Sequence, residues 1–291
     1  MPTRKLVTRQ EDHLKRFPDM WHKVGLVLGT AFVLTWPFLA NSRWLTYSNH
    51  ALTAVVGAMA LMILTGFAGQ ISLGHAAFLA LGAYTVAVLG FHLHVPFWLA
   101  IPVAGVVAAA VGLAVGPFAL RLRGLYLAIV TLGLLFLVDH FLLGFPDITG
   151  GVGGISVPMH TWFSAPEGTS ALGDFARASQ FGPVALSFPQ KLYFVFLFIA
   201  VVVTFVGSNV RRSRTGRAMM AVRDSDLAAA ALGVNPAGAK VLSFGLSSFL
   251  AGIAGAMFGF QMQYITVEPP FDLVMSVEYI AMIVLGGIGT V

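Results

Sequence analysis

Few side chains in this sequence could do chemistry, and the run around each one limits what that chemistry is. Asp139 and His140 adjoin inside an apolar stretch, where an ionisable pair could relay protons. His92 and His94 stand two apart, but no acidic cluster or third ligand adjoins them, so interfacial histidines facing water or headgroups are the plainer reading. The run Thr149-Gly150-Gly151-Val152-Gly153-Gly154 has the glycine density of a phosphate cradle. Such a cradle holds its phosphates with a Gly-Lys-Ser or Gly-Lys-Thr, and no Gly-Lys pair occurs in the chain. The absence of cysteine removes a thiol nucleophile, disulfides and Cys-ligated metal, and no Gly-x-Ser-x-Gly turn supplies a serine nucleophile. Neither catalysis, nor a cofactor, nor a metal is expected of this chain.

The elements that position these residues follow from composition. Of the 291 residues, 57% are hydrophobic and 10% charged, against about a quarter charged in soluble domains. The composition excludes a soluble enzyme or a nucleic-acid-binding domain. The net charge of +5 does not reverse this, because the basic residues sit in short runs between apolar segments, where topology signals belong. No Asp, Glu, Lys or Arg occurs between Arg43 and Arg121, a stretch long enough for three crossings at about 20 residues each.

Charge-free apolar runs give spans at 24–40, 51–68, 73–91, 96–120, 125–143, 192–210, 241–265 and 273–291, an all-α polytopic membrane protein of about eight transmembrane helices. The first run is expected to stay as an anchor. A polar leader of about twenty residues precedes it, and Trp36-Pro37 follows in place of a small-residue cleavage site. Three basic clusters agree on sidedness: the arm at residues 1–23, Arg121 with Arg123, and Arg211, Arg212, Arg214 and Arg217 all fall inside. Residues 144–191 then lie outside and residues 211–240 inside, with the transmembrane domain running over 24–291. Trp36, Trp44 and Tyr47, and then Phe97 and Trp98, mark the outer interface.

Two regions are too polar or too glycine-rich for simple spans. In residues 65–75, Gln70, Ser72 and His75 lie among Gly66, Gly69 and Gly74 between strongly apolar segments. Non-helical backbone at membrane depth is tolerated where it is packed in protein or lines a wet cavity, so this segment reads as a break on a substrate path. The alternative is a short cytoplasmic turn with small residues for helix packing, and His75 as a satisfied packing histidine. The second region is the inside loop 211–240. Its first part is a basic collar suited to phosphate headgroups of membrane lipid. Then Asp224, Ser225 and Asp226 precede a Leu-Ala-rich helix ended by Gly233 and followed by Asn235-Pro236. A helix of about ten residues is marginal alone in water, so it packs either on a partner protein or on its own membrane domain.

The motifs GFAGQISLGHAAFLALGAY (66–84), LRLRGLYLAIVTLG (120–133), DITGGVGGI (147–155), the run from 212 to 259, and IVLGGIGT (283–290) together resemble branched-chain amino acid ABC transporter permeases of the LivM type. The similarity covers roughly residues 45–291. The resemblance implies a multi-pass subunit in a prokaryotic inner membrane, N-terminus cytoplasmic, importing branched-chain amino acids. Its implied partners are a LivH-type second permease, two cytoplasmic ABC ATPases that bind the ATP, and a periplasmic substrate-binding protein.

In that picture Arg217, Arg223, Asp224, Asp226, Ala228, Ala229 and Gly233 form the ATPase-coupling segment. Gly66, Gly69, Gln70, Ser72, Gly74 and His75 lie on the substrate path, and Thr149, Gly150, Gly151 and Gly154 on an outer docking or path face. The chain departs from the family pattern at Ala230, where an acidic residue is frequent, and at Leu134-Leu135, where one is expected after Gly133. The pattern also continues past GGIGT with a glycine-rich stretch and a further apolar helix, which implies a truncated C-terminus. The main rival is a proton-coupled secondary transporter using Asp139-His140. Against it, Asp139 lies about 24 Å along the helix from Arg123, near the outer boundary. An ABC permease for urea or amides and a non-transporting scaffold are further alternatives.

Overall fold

The computed structural model describes residues 20–122, 124–161, 173–176, 179–181, 184–267 and 270–287. The basic arm at 1–19, Arg123, Glu167, Arg177 and the closing residues 288–291 lie outside the described residues.

Residues 1–45 and 46–291 form two compact units. The first unit contains α1 (Met20–Leu39), an apolar helix with Pro37 in its last turn. The hydroxyl of Thr35 donates to the Ala31 carbonyl at 2.8 Å, and the Phe32 and Trp36 rings meet with centroids 5.4 Å apart.

Helix α2 (Ser42–Leu61) runs into a π-helical turn, Met62–Phe67. The chain then continues as α3 (His75–Leu93), α4 (Phe97–Arg121) and α5 (Leu125–Gly144). A short helix α6 (Pro146–Thr149) and strand β1 (Ile155–Ser156) follow. After the hairpin of β2 (Ser179–Phe181) and β3 (Val184–Leu186) come α7 (Phe188–Arg212), α8 (Arg214–Asp224), α9 (Asp226–Ala231) and α10 (Pro236–Met262). Strand β4 (Tyr264–Ile265) and α11 (Leu273–Gly286) complete the described chain.

Among the described residues, six helices are long and apolar enough to cross a membrane, and the shorter apolar helices Val27–Leu39 and Leu273–Gly286 fall on the two remaining expected spans. The fold is all-α and polytopic. The second span is longer than the charge-free rule suggests, because Ser42–Phe67 is one continuous helical stretch. Its polar first turns, including Thr46, Ser48 and Asn49, are helical residues.

Helix α10 is the centre of the second unit, with α3 and α4 packed on it. Lipid tails are as apolar as leucine, so close backbone approach and van der Waals contact must drive this packing. Glycine makes the approach possible: a methyl on Gly255 would overlap the Leu79 carbonyl of α3, and one on Gly252 would meet Ala104 and Ala108 of α4. Phe78 of α3 meets Phe244 of α10 edge to face, centroids 6.2 Å apart. Across the chain, β1 pairs antiparallel with β4, Ile155 opposite Ile265, so the 145–161 loop is tied to the end of α10.

Candidate functional site

The segment between α2 and α3 is a true break. Gln70 N–H donates to the Leu64 carbonyl at 3.1 Å, the Thr65 hydroxyl donates to the Gln70 carbonyl at 3.0 Å, and Gly69 takes φ +67°. That left-handed conformation ends the helix, and only glycine adopts it without strain. From Gly69 to Gly74 the residues alternate between outside and inside, as an extended chain does: Gly69 and Ile71 are exposed, while Gln70, Ser72 and Gly74 are buried.

Backbone groups released by a break must find partners when no water reaches them. Here side chains from distant helices supply them. Leu73 N–H donates to the Thr131 hydroxyl of α5 at 3.0 Å, and Ala76 N–H to the Ser276 hydroxyl of α11 at 3.0 Å. His75 Nε2 lies 3.0 Å from the Gly57 carbonyl, and its ring meets the edge of Tyr279 at 5.0 Å, so this histidine is held by packing and a backbone partner. Gln70 differs: it is 4% exposed, and neither atom of its amide has a hydrogen-bond partner among the described residues. It lines a cavity of about 350 Å³.

The opposite wall of that cavity is the 211–240 loop, which folds as an elbow. Where the sequence suggests one helix after a basic collar, two helices meet at Ser225. The collar is divided between the last turn of α7, which holds Arg211 and Arg212, and α8, which is capped by the Ser213 hydroxyl accepting from Gly216 N–H at 3.0 Å. Ser225 caps α9 by accepting from Ala228 N–H at 3.3 Å, and Gly233, at φ +81°, ends it. Asn235 then caps α10 through Gly238 N–H at 3.1 Å.

Inward, Met219, Val222 and Ala229 are buried. Outward, Ala228, Ala230, Ala231 and Gly233 are exposed, and Leu227 and Leu232 are 84% and 83% exposed. Lys240 Nζ reaches Asp226 Oδ2 at 2.7 Å, fastening α9 to α10. Arg223 Nε pairs with Asp224 Oδ1 at 3.2 Å, while its Nη1 donates to the Gly66 carbonyl at 2.7 Å. Arg217 Nη1 donates to the Arg212 carbonyl at 2.7 Å, at the end of α7.

At the other end of the bundle, the glycine-rich run is a turn held by one hydroxyl. Thr149 Oγ1 donates to the Leu142 carbonyl at 2.6 Å and accepts from Gly151 N–H at 3.2 Å. Gly150 and Gly154 have φ of +78° and +76°, and a methyl on Gly154 would overlap the Ile265 carbonyl. Tyr264 donates its hydroxyl proton to the Gly153 carbonyl. Val152 stands out of this turn, exposed.

Nearby, Asp139 is buried and His140 exposed, both lining a groove of about 400 Å³ with Val152 and Val267. His160, buried in the same loop region, has Nδ1 4.0 Å from Asp174 Oδ1 and its ring 5.2 Å from that of His94. Burial pushes the His160 imidazole below its usual range and His94 pushes the same way, while Asp174 opposes both. His92 Nε2 lies 3.2 Å from the Ile148 carbonyl. No group of three or more potential metal ligands gathers among the described residues.

The structure thus brings Gly69 and Gln70 of the predicted path together with Arg223, Asp224 and Asp226 around one cavity, while Gly66, Ser72, Gly74 and His75 are not part of its lining, and it sets Arg217 and the 149–154 turn apart from it. Five residues that matter here were not singled out in the sequence. Thr131 and Ser276 carry no local signal, and Lys240 carries only its charge. Leu232 and its neighbour on α9, Leu227, had a readable one, two apolar residues flanking alanines in a polar loop.

The family model for the branched-chain amino acid transport system / permease component matches residues 43–291. The chain is 34% identical over 273 residues to the high-affinity branched-chain amino acid transport system permease protein LivM of Escherichia coli (strain K12), covering 92% of this chain and 64% of that protein. The LivM of Salmonella typhimurium (strain LT2) matches with the same identity and coverage. The permease protein BraD of Pseudomonas aeruginosa is 32% identical over 117 residues, covering 40% of this chain and 36% of that protein. The chain therefore spans 64% of the length of the two LivM proteins. No solved structure matches.

Proposed function

The chain belongs to the branched-chain amino acid transport system permease family, a family of transport permeases and not of enzymes, and on that premise we propose that it is one membrane subunit of an ATP-driven importer of branched-chain amino acids. It supplies half of the translocation path and a docking element for an ATPase subunit. The observation that carries this reading is the elbow: a six-residue helix, capped at both ends, clamped by Asp226–Lys240, with Leu227 and Leu232 turned away from its own chain. Exposed apolar side chains on a rigid loop helix suit a partner groove.

In this arrangement residues 211–240 face the cytoplasm and residues 144–191 the periplasm, with residues 1–23 as a cytoplasmic arm and 24–291 as the permease domain. The LivH-type permease supplies the facing half of the path, two ABC ATPases hydrolyse the ATP, and the substrate-binding protein docks on the outer side near the Thr149–Gly154 turn. Arg217, by engaging the end of α7, holds the elbow's approach. ATP binding at the partner shifts the elbow, and the path alternates between outward and inward opening, a coupling of two equilibria.

The test is co-expression with the second permease and the ATPases, followed by copurification and uptake in proteoliposomes. ATPases should copurify with the native chain and be lost with Leu232→Asp, and leucine uptake should require ATP. Uptake by this chain alone, driven by a proton gradient through Asp139 and His140, would overturn the reading.

A further inference from the structure

Arg223 looks by position like part of the surface an ATPase would touch, yet its guanidinium points into its own chain. It crosses the cavity between the elbow and the broken helix. Nη1 donates to the Gly66 carbonyl at 2.7 Å, across 157 positions of sequence. Its Cγ occupies the space a methyl on Gly69 would need, 2.6 Å from where that carbon would stand. Gly66 has no partner in Gln70 N–H, its usual one in an α-helix, because that N–H turns back to Leu64. The guanidinium fills the vacant role.

From these contacts we infer that Arg223 is a positioning residue that transmits displacement of the elbow to the 66–74 break, and that it does not serve as an ATPase contact. This rests on the permease reading above. Arg223 sits three residues before Asp226, in the last turn of α8, so any rigid movement of α9 is delivered to its backbone. The planar fork then carries the movement inward, because one donor is fixed on Asp224 and another on Gly66. What moves with Gly66 is the extended segment that carries Gln70, a residue of the cavity lining whose amide is buried. The elbow thereby changes where a polar group stands on the path, with no change in how it grips its partner.

The experiment uses the complete importer, both permeases and both ATPases, in proteoliposomes. Arg223→Met keeps the apolar stem against Gly69 and removes both hydrogen bonds; Arg223→Lys keeps the charge but not the fork. The ATPases should copurify with both variants at native yield, and basal ATP hydrolysis should persist. Leucine transported per ATP should fall about tenfold or more for Arg223→Met, and less for Arg223→Lys. Gly69→Ala, which forces the stem away from the break, should reproduce the loss with Arg223 intact.

Unchanged transport per ATP in Arg223→Met would overturn the inference, as would loss of the ATPases from that variant. Failure of the native chain to retain ATPases would instead overturn the permease reading itself. A monodisperse elution profile identical to that of the native complex is the control for folding.

Discussion

Lys240 Nζ stands 2.7 Å from Asp226 Oδ2, joining the first turn of α9 to the second turn of α10 across the Gly233 corner. The two side chains are 13% and 19% exposed, so solvent screens them only in part. A six-residue helix cannot hold its own orientation in water, because so few hydrogen bonds offset the ordering of its nucleus. This ion pair, together with the buried face of Ala229, does so instead.

Removing one partner should therefore loosen the elbow without unfolding the bundle. Lys240→Met takes this ion pair from the half-buried Asp226, at a cost of about 1–3 kcal/mol. The expected outcome is faster proteolysis at residues 224–236 and, on the proposed function, reduced ATPase copurification, with the thermal midpoint of the membrane domain nearly unchanged. The exchange Asp226→Lys with Lys240→Asp should restore part of the yield.

The broken helix should be sensitive to residues far from it in sequence. Thr131→Val removes the acceptor for Leu73 N–H in a buried setting, which costs about 1–3 kcal/mol. The detergent-solubilised protein should melt at lower temperature, and hydrogen exchange should speed up at residues 70–76. Thr131→Ser, which keeps the hydroxyl, should sit close to the native value. An unchanged melt for Thr131→Val would show that the break finds another acceptor.

The 149–154 turn depends on the Thr149 hydroxyl, which bonds at three points. Thr149→Val keeps the shape and removes all three. On the proposed function, binding of a substrate-binding protein to the reconstituted importer should weaken several-fold, while ATPase copurification should stay normal, since the elbow is at the other end of the bundle. Loss of both together would point to global unfolding.

His160 should make the packing of its loop depend on pH. Its folded-state value is lowered from 6.5, so the unfolded form binds the proton more readily. Stability then rises with pH where the unfolded state holds more protons. The contribution is full above about 6.5 and is lost as pH falls below it toward the lowered value. Protease cleavage within residues 157–176 should be slow at pH 7.5 and faster at pH 5.5. His160→Asn should remove most of that difference, and an equal difference in the variant would assign it to another group.

Much of the membrane architecture was legible because hydrocarbon tolerates so few charges. The expected span at 73–91 became His75–Leu93, and that at 125–143 became Leu125–Gly144. The break was legible too, from Gly66, Gly69 and Gly74 set among polar residues. Its π-helical turn was not, since the residues 62–67 are ordinary helix formers apart from Gly66. In the elbow, the sequence suggested one helix where Ser225 separates two. The acids on both sides of Ser225 serve equally well as the end of α8 and the start of α9, so local pattern cannot choose between them.

By itself, then, the amino-acid sequence determined most of the spans, the cap at Asn235 and the place of the break, because these follow from local desolvation and from backbone groups within a few residues. Tertiary structure alone decided that Ala229 faces inward while Leu227 and Leu232 face out, that Lys240 closes on Asp226, and that Arg223 reaches Gly66. A short helix has no preferred face until something packs against it. A broken helix likewise leaves open carbonyls whose partners are set by which side chains the bundle brings near.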